Sequence, residues 1–304
     1  MRAAMFYRTG QPEVLTIGEV PVPQPGPDEV RVRVEAATLQ PFDIAVRSGW
    51  VPPTVNLLFP IITGNEFAGT IDAVGDNVTG FSVGDRVAGR RMFGCAAEYV
   101  CVVATDIAVI PASISYPQAA YLGGTGQTAH LAVEVLEIQK GDTFLIHGAA
   151  GGVGSIAIQL AVRLGAHVIA TGSPQNQDHL RSLGATPVVY GDGLRGRIEA
   201  AAPKGISVAL DSVGGEALDL SVNLVADRQR VATLNDYRRY KELGVQWPTG
   251  ERNGKRLAAL MQIAARYHLK IPIRRTYVLG EIVAAHRDVE TGHGYGKVAV
   301  LIRA

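Results

Sequence analysis

Cysteine is nearly absent from this 304-residue chain, which holds only Cys95 and Cys101. Two thiols six positions apart rule out a disulfide framework and match no standard zinc pair, so both are expected to be buried and reduced. An excess of either charge is also missing, since 29 basic and 28 acidic side chains nearly cancel. That balance argues against a nucleic-acid or anionic-lipid partner and for a small, weakly charged ligand. No segment approaches the ~20 uninterrupted apolar residues of a membrane-spanning helix. Residues 1–10 hold no apolar run of signal length, and the cytoplasm is therefore the expected compartment. Internal repeats and low-complexity segments are lacking too.

What is present is apolar mass: 47% of the residues are hydrophobic, enough for two cores. Up to about Pro111 the apolar positions alternate, as in Glu29-Val30-Arg31-Val32-Arg33-Val34-Glu35, the mark of half-buried, mostly antiparallel strands. Four prolines within residues 21–27 require a surface connection there. From about Tyr116 the pattern changes to continuous apolar runs near residues 143–147, 167–170, 187–189, 207–210 and 230–234, separated by helix-period segments. Strands buried on both faces and alternating with helices make a doubly wound parallel sheet. Residues 253–268 read as an amphipathic helix. The tail closes on a strand around residues 297–302, which is expected to return to the first domain. The expected architecture is therefore α/β: a strand-rich domain of residues 1–118 and 265–304, and a Rossmann domain of residues 119–264.

The strongest motif is His147-Gly148-Ala149-Ala150-Gly151-Gly152-Val153-Gly154, set between a buried strand and a helix with an apolar stripe. Gly151 and Gly152 allow backbone to approach a pyrophosphate, Gly154 allows helix and strand to pack, and the helix start offers free amides; Ala149 replaces the usual first glycine. Ala150 and Val153 complete the expected dinucleotide contacts. About twenty residues on, the second strand ends at Thr171-Gly172-Ser173, with no carboxylate for a ribose 2′-hydroxyl. Ser173 can instead donate to a 2′-phosphate, so NADPH is favoured over NADH, although Gln175 and Asn176 leave Arg181 as the nearest cation.

Several separated motifs extend the pattern. Leu39-Gln40-Pro41-Phe42-Asp43, Gly64-Asn65-Glu66-Phe67-Ala68-Gly69, Phe81-Ser82-Val83-Gly84-Asp85-Arg86-Val87, Gly124-Thr125-Gly126-Gln127-Thr128-Ala129, Asp211-Ser212-Val213-Gly214-Gly215 and the closing Gly296-Lys297 occur in order along nearly the whole chain. Together with the glycine turn they resemble the zinc-independent medium-chain dehydrogenase/reductases, in the quinone oxidoreductase and enoyl reductase branch, whose strand-rich domain is GroES-like. Gln40 stands where that family's loop has asparagine. Where zinc-dependent relatives hold their metal, this chain has Gln40, Asn65 and no third ligand around residues 122–124, and a borderline metal needs thiolate, imidazole or carboxylate. No metal is expected. Glu66 is expected to be a structural ion-pair or hydrogen-bond partner, and His286 and His293 to be exposed.

The resemblance implies that Gln40 lies beside the nicotinamide, where it can donate to the ribose or the acceptor oxygen, with Thr125 near that ribose. It implies Lys297 near the cofactor cleft and the backbone of Thr233 and Leu234 on the carboxamide. It also implies a flat apolar pocket from Phe42, Trp50, Phe59 and Phe93, with Trp247 a further aromatic candidate. Tyr121 and solvent are the possible proton donors. Residues 237–242 read as a solvated loop or a lid. Without a Lewis acid, hydride transfer suits a quinone or an α,β-unsaturated carbonyl, whose phenolate or enolate product needs only hydrogen bonds. The expected function is NADPH-dependent reduction of such an acceptor by a cytoplasmic homodimer; the alternative is a nucleotide-binding protein with little turnover.

Overall fold

The structure is a computed structural model that describes residues 1–52 and 55–303. Its strand-rich part begins with β1 (Arg2–Phe6), β2 (Thr16–Glu19), β3 (Glu29–Thr38), β4 (Ile61–Ile62), β5 (Glu66–Val74), β6 (Arg86–Arg90), β7 (Tyr99–Val103) and β8 (Ile107–Val109). In β3 the alternation works as written: Val30, Val32 and Val34 are fully buried while Glu29, Arg31 and Arg33 face outward. β3 pairs antiparallel with β5 and β7, and β5 with β6, forming the centre of a seven-stranded sheet.

Five parallel strands follow, β9 (Thr143–His147), β10 (His167–Gly172), β11 (Thr186–Val189), β12 (Val208–Asp211) and β13 (Val231–Thr233). Their spatial order is β11-β10-β9-β12-β13, so the winding reverses between β9 and β12. A ligand crevice opens beyond the carboxyl ends of the strands at such a reversal. Phe144, Leu145 and Ile146 on β9 are fully buried; Phe144 and Ile146 pack in one cluster with Ile156, Ala157 and Ala161 of the helix Gly152–Arg163, and Leu145 faces the other side of the sheet.

After the helix Gly254–Arg266 the chain forms β14 (Ile273–Val278), the helix Ile282–Glu290 and β15 (Lys297–Leu301). β15 pairs with β3 in the first sheet and with β14 on its other side. β14 and the Ile282–Glu290 helix are not evident from the sequence pattern. The reason for β14 is visible: an edge strand carrying Arg274 and Arg275 shows little apolar alternation. His286 corrects an expectation. It is fully buried on the Ile282–Glu290 helix with both ring nitrogens unpartnered, whereas His293 is exposed. Cys95 and Cys101 are buried and free.

Candidate active site

Gly148, at φ +69°, turns the chain out of β9, and the helix begins at Gly152. A Cβ on Gly154 would come within 2.5 Å of the Ala149 backbone, so only glycine lets the helix start lie this close to the strand end. Tyr121 donates its hydroxyl to the Gly152 carbonyl at 2.5 Å. This tyrosine is fully buried, with burial pushing its ionisation upward, so it holds the turn rather than facing the cleft as a proton donor. Among the described residues the amides of Val153 and Gly154 have no acceptor, and both residues line the cleft beside Gly152.

Opposite the turn lies Glu66, fully buried at the start of β5. Its carboxylate accepts from the Thr38 hydroxyl, the Gln40 amide, and both the backbone amide and hydroxyl of Thr125. Lys297 Nζ lies 3.4 Å from Glu66 and donates to Thr125 Oγ1 at 3.1 Å. A turn of π-helix, Leu122–Gly126, presents Thr125, and a Cβ on Gly124 would meet Glu66 Cγ at 2.7 Å. Glu66 is thus the hydrogen-bond and ion-pair partner expected from the sequence, and it joins Gln40, Thr125 and Lys297, a connection the sequence did not reveal. Lys297 is buried and lines the cleft.

A second buried carboxylate, Asp43, accepts from Gln40 N at 2.8 Å, Gly64 N at 3.1 Å and Asn65 Nδ2 at 2.7 Å. Burial raises its pKa to about 6. Asn65 Oδ1 accepts from Phe93 N at 2.9 Å, so this amide is already committed to fixing two loops.

The cleft between the two sides encloses about 440 Å³. Gln40, Phe42, Thr125, Gly151–Gly154, Leu234, Trp247 and Lys297 line it. Three of the expected pocket aromatics do not. Phe59 packs edge-on against Phe6 with ring centres 5.9 Å apart, Trp50 packs against Phe42 at 5.7 Å, and Phe93 packs against Phe42 from behind at 5.9 Å. Their rings are thus held by Phe6 of β1 and by the cleft-lining Phe42 rather than by the cleft itself. Thr233 is fully buried, donating to Asp211 Oδ2 at 2.7 Å, while its neighbour Leu234 is half-buried and lines the cleft. Ala150 and Ser173 are outside the lining, Ser173 at the end of β10. Arg181 is ion-paired to Asp178. In residues 237–242, Tyr237 and Tyr240 pack on Trp247, tying this loop to the cleft.

A parallel sheet with a glycine turn at its winding reversal, closed by a strand-rich domain, defines a two-domain oxidoreductase. The comparisons give the family. Residues 26–113 match the alcohol dehydrogenase GroES-like domain and residues 152–234 match the domain described as zinc-binding dehydrogenase. The quinone oxidoreductase of Pseudomonas aeruginosa is 30% identical over 97% of this chain and 98% of that protein. The spectinabilin polyketide synthase system protein NorB of Streptomyces orinoci is 34% identical over 90% of this chain, which spans only 13% of NorB. Among solved structures, the Coxiella burnetii quinone oxidoreductase superposes with a TM-score of 0.89 at 30% identity, covering 100% of this chain and 99% of that one. The Escherichia coli quinone oxidoreductase complexed with NADPH gives 0.87 at 26%, over 99% and 100%. The CurK enoyl reductase gives 0.86 at 25%, over 99% and 98%. The chain belongs to the medium-chain dehydrogenase/reductases, in the quinone oxidoreductase and enoyl reductase branch, and is an oxidoreductase.

Proposed function

We propose that this chain reduces a quinone, or the C=C bond of an α,β-unsaturated carbonyl, with NADPH and without zinc. The observation that carries the reading is the cleft itself, with free helix-start amides on one wall and Gln40, Thr125 and Lys297 on the other. The turn fits a pyrophosphate. Glycine backbone lines the cleft at Gly151–Gly154, and a Cβ on Gly152 would come within 2.9 Å of Thr125 Cγ2 and Lys297 Cδ. Ser212, whose buried hydroxyl lacks a partner, lines the same crevice and suits a ligand hydroxyl. NADPH is favoured over NADH because β10 ends in Gly172-Ser173 without a carboxylate, and the E. coli relative was solved with NADPH.

When bound, the nicotinamide supplies a hydride. The chain's own residues then orient and shield. Gln40 spends one amide proton on Glu66 and keeps the other, with its carbonyl, for a ligand. Thr125 is fixed between Lys297 and Glu66. Phe42, Met92 and Trp247 present apolar faces that exclude water from a flat acceptor. The zinc-free reading rests on Gln40 and Asn65, neutral amides at the ligand positions, with Asn65 already bonded to Asp43 and Phe93. A cytoplasmic homodimer, and domains of residues 1–118 with 265–304 and 119–264, belong to the same proposal.

Stopped-flow oxidation of NADPH and NADH against quinones, enones and saturated aldehydes tests it. Turnover with quinones or enones, faster with NADPH, is expected, and saturated aldehydes should stay unreduced. Tight NADPH binding with no oxidation by any acceptor would leave the low-turnover alternative.

A further inference from the structure

Arginines that are buried or half-buried in this chain are mostly paired: Arg31 with Asp72, Arg47 with Glu290, Arg230 with Asp142, Arg256 with Glu134 and Arg274 with Asp288. Arg90 and Arg252 are different. Both line the cleft, Arg90 from the end of β6 and Arg252 just before the Gly254–Arg266 helix. Among the described residues neither guanidinium has an ion-pair or hydrogen-bond partner, and Arg252 Nε is buried without one. Burial, then the charges of Arg90 and Arg256, depress Arg252's proton affinity, which shows positive charge gathered without compensation.

The nearby acids do not answer it. Glu66, the register partner of Arg90, is committed to Thr38, Gln40, Thr125 and Lys297. Glu251 accepts from Asn253. Asp106 feels the charge of Arg90 but lies beyond ion-pair distance. Half-buried guanidiniums without acceptors are unfavourable unless a ligand completes them, and a carboxylate or phosphate oxygen pair matches their fork. The pyrophosphate has its own donors at the glycine turn, so these two arginines are free for the other reactant.

We infer that the acceptor carries an anionic group, a carboxylate or a phosphate ester, seated on Arg90 and Arg252 while its conjugated carbonyl lies beside Gln40. The inference rests on the reductase reading above. It is tested with one enone skeleton bearing a free carboxylate, its methyl ester, or a phosphate ester, assayed for kcat/KM on the wild type, Arg90→Gln and Arg252→Gln. The wild type should prefer an anionic acceptor over the ester by about tenfold or more, and either variant should lose that preference while the ester rate stays within about twofold. Whichever anionic arm is faster names the headgroup. Calorimetry with the saturated, non-reducible acid and ester provides a readout without turnover: the acid binds the wild type more tightly than the ester even if no acceptor is reduced. Equal binding and equal rates of acid and ester would overturn the inference, as would a matching loss of NADPH affinity in Arg252→Gln, which would place the arginines on the cofactor.

Discussion

Glu66 is the residue on which the cleft's reactive wall depends. Fully buried beside Lys297, it gathers four side chains, those of Thr38, Gln40, Thr125 and Lys297, from segments up to 231 positions away in sequence. Glu66→Gln keeps the shape but leaves the Lys297 ammonium buried without its counter-charge, so stability should fall by about 3 kcal/mol in chemical denaturation. An unchanged midpoint would show that the ammonium finds water instead. Gln40→Ala removes an amide that lines the cleft and donates to Glu66. Single-turnover hydride transfer should slow by roughly tenfold or more while NADPH affinity changes little, and an equal loss in both would make Gln40 a binding residue only. Gln40, Thr125 and Lys297 were legible in the sequence because each sits in a motif with its own spacing. Glu66 was legible as a hydrogen-bond or ion-pair partner; its joining of all three, the second buried acid Asp43, and the Arg90–Arg252 pair were not, because contacts between distant segments leave no local period.

At the scale of elements, the glycine turn and the closing strand are one unit. Gly296 donates its amide to the Ala150 carbonyl at 2.9 Å, so β15 carries Lys297 directly against the turn. Gly296 itself, at φ +68°, has no room for a side chain, since a Cβ would meet the Pro272 carbonyl at 2.2 Å. Gly154→Ala places a methyl on backbone that cannot rotate away, and it should cost about 3 kcal/mol while weakening NADPH binding. A calorimetric titration showing native affinity would mean that the helix start can shift without disturbing its amides. The parallel strands were legible because burial on both faces makes continuous apolar runs, and the turn because three residue types must coincide there. The π-helical turn at Leu122–Gly126 was not, since its extra residue is set by the approach of Gly123 to Gly89 and of Gly124 to Glu66. Of the expected pocket aromatics Phe42 lines the cleft, whereas Trp50 and Phe93 pack on Phe42 and Phe59 on Phe6, contacts between separate segments that no sequence period encodes.

Across the whole molecule, buried titratable groups set the pH response. Burial lowers His147 to about 4 and His286 to about 3, so both stay neutral in the fold while the unfolded chain takes up protons below its ordinary histidine value. Their contribution is present above about pH 6.5 and is lost as pH falls, about 2 kcal/mol each between pH 7 and pH 5. Asp43 works the other way. Its raised pKa of about 6 means that the fold binds a proton before the unfolded chain does, returning about 1 kcal/mol over the same interval. These three groups together should lower stability by about 3 kcal/mol from pH 7 to pH 5, and His286→Leu should flatten the fall by about 2 kcal/mol in denaturant titrations. An identical fall in the variant would show that His286 gains a proton without cost. The two-domain organisation was visible in the change from alternating to continuous apolar runs, whereas the burial of His286 depends on how the Ile282–Glu290 helix packs beside Arg47. The central claim concerns what the cleft does with its cofactor, and stopped-flow NADPH oxidation by an enone and by a quinone, on protein stripped with a chelator and checked by metal analysis, tests it most directly. Full-rate oxidation by the stripped protein is the predicted result; loss of turnover on stripping that zinc restores would contradict it.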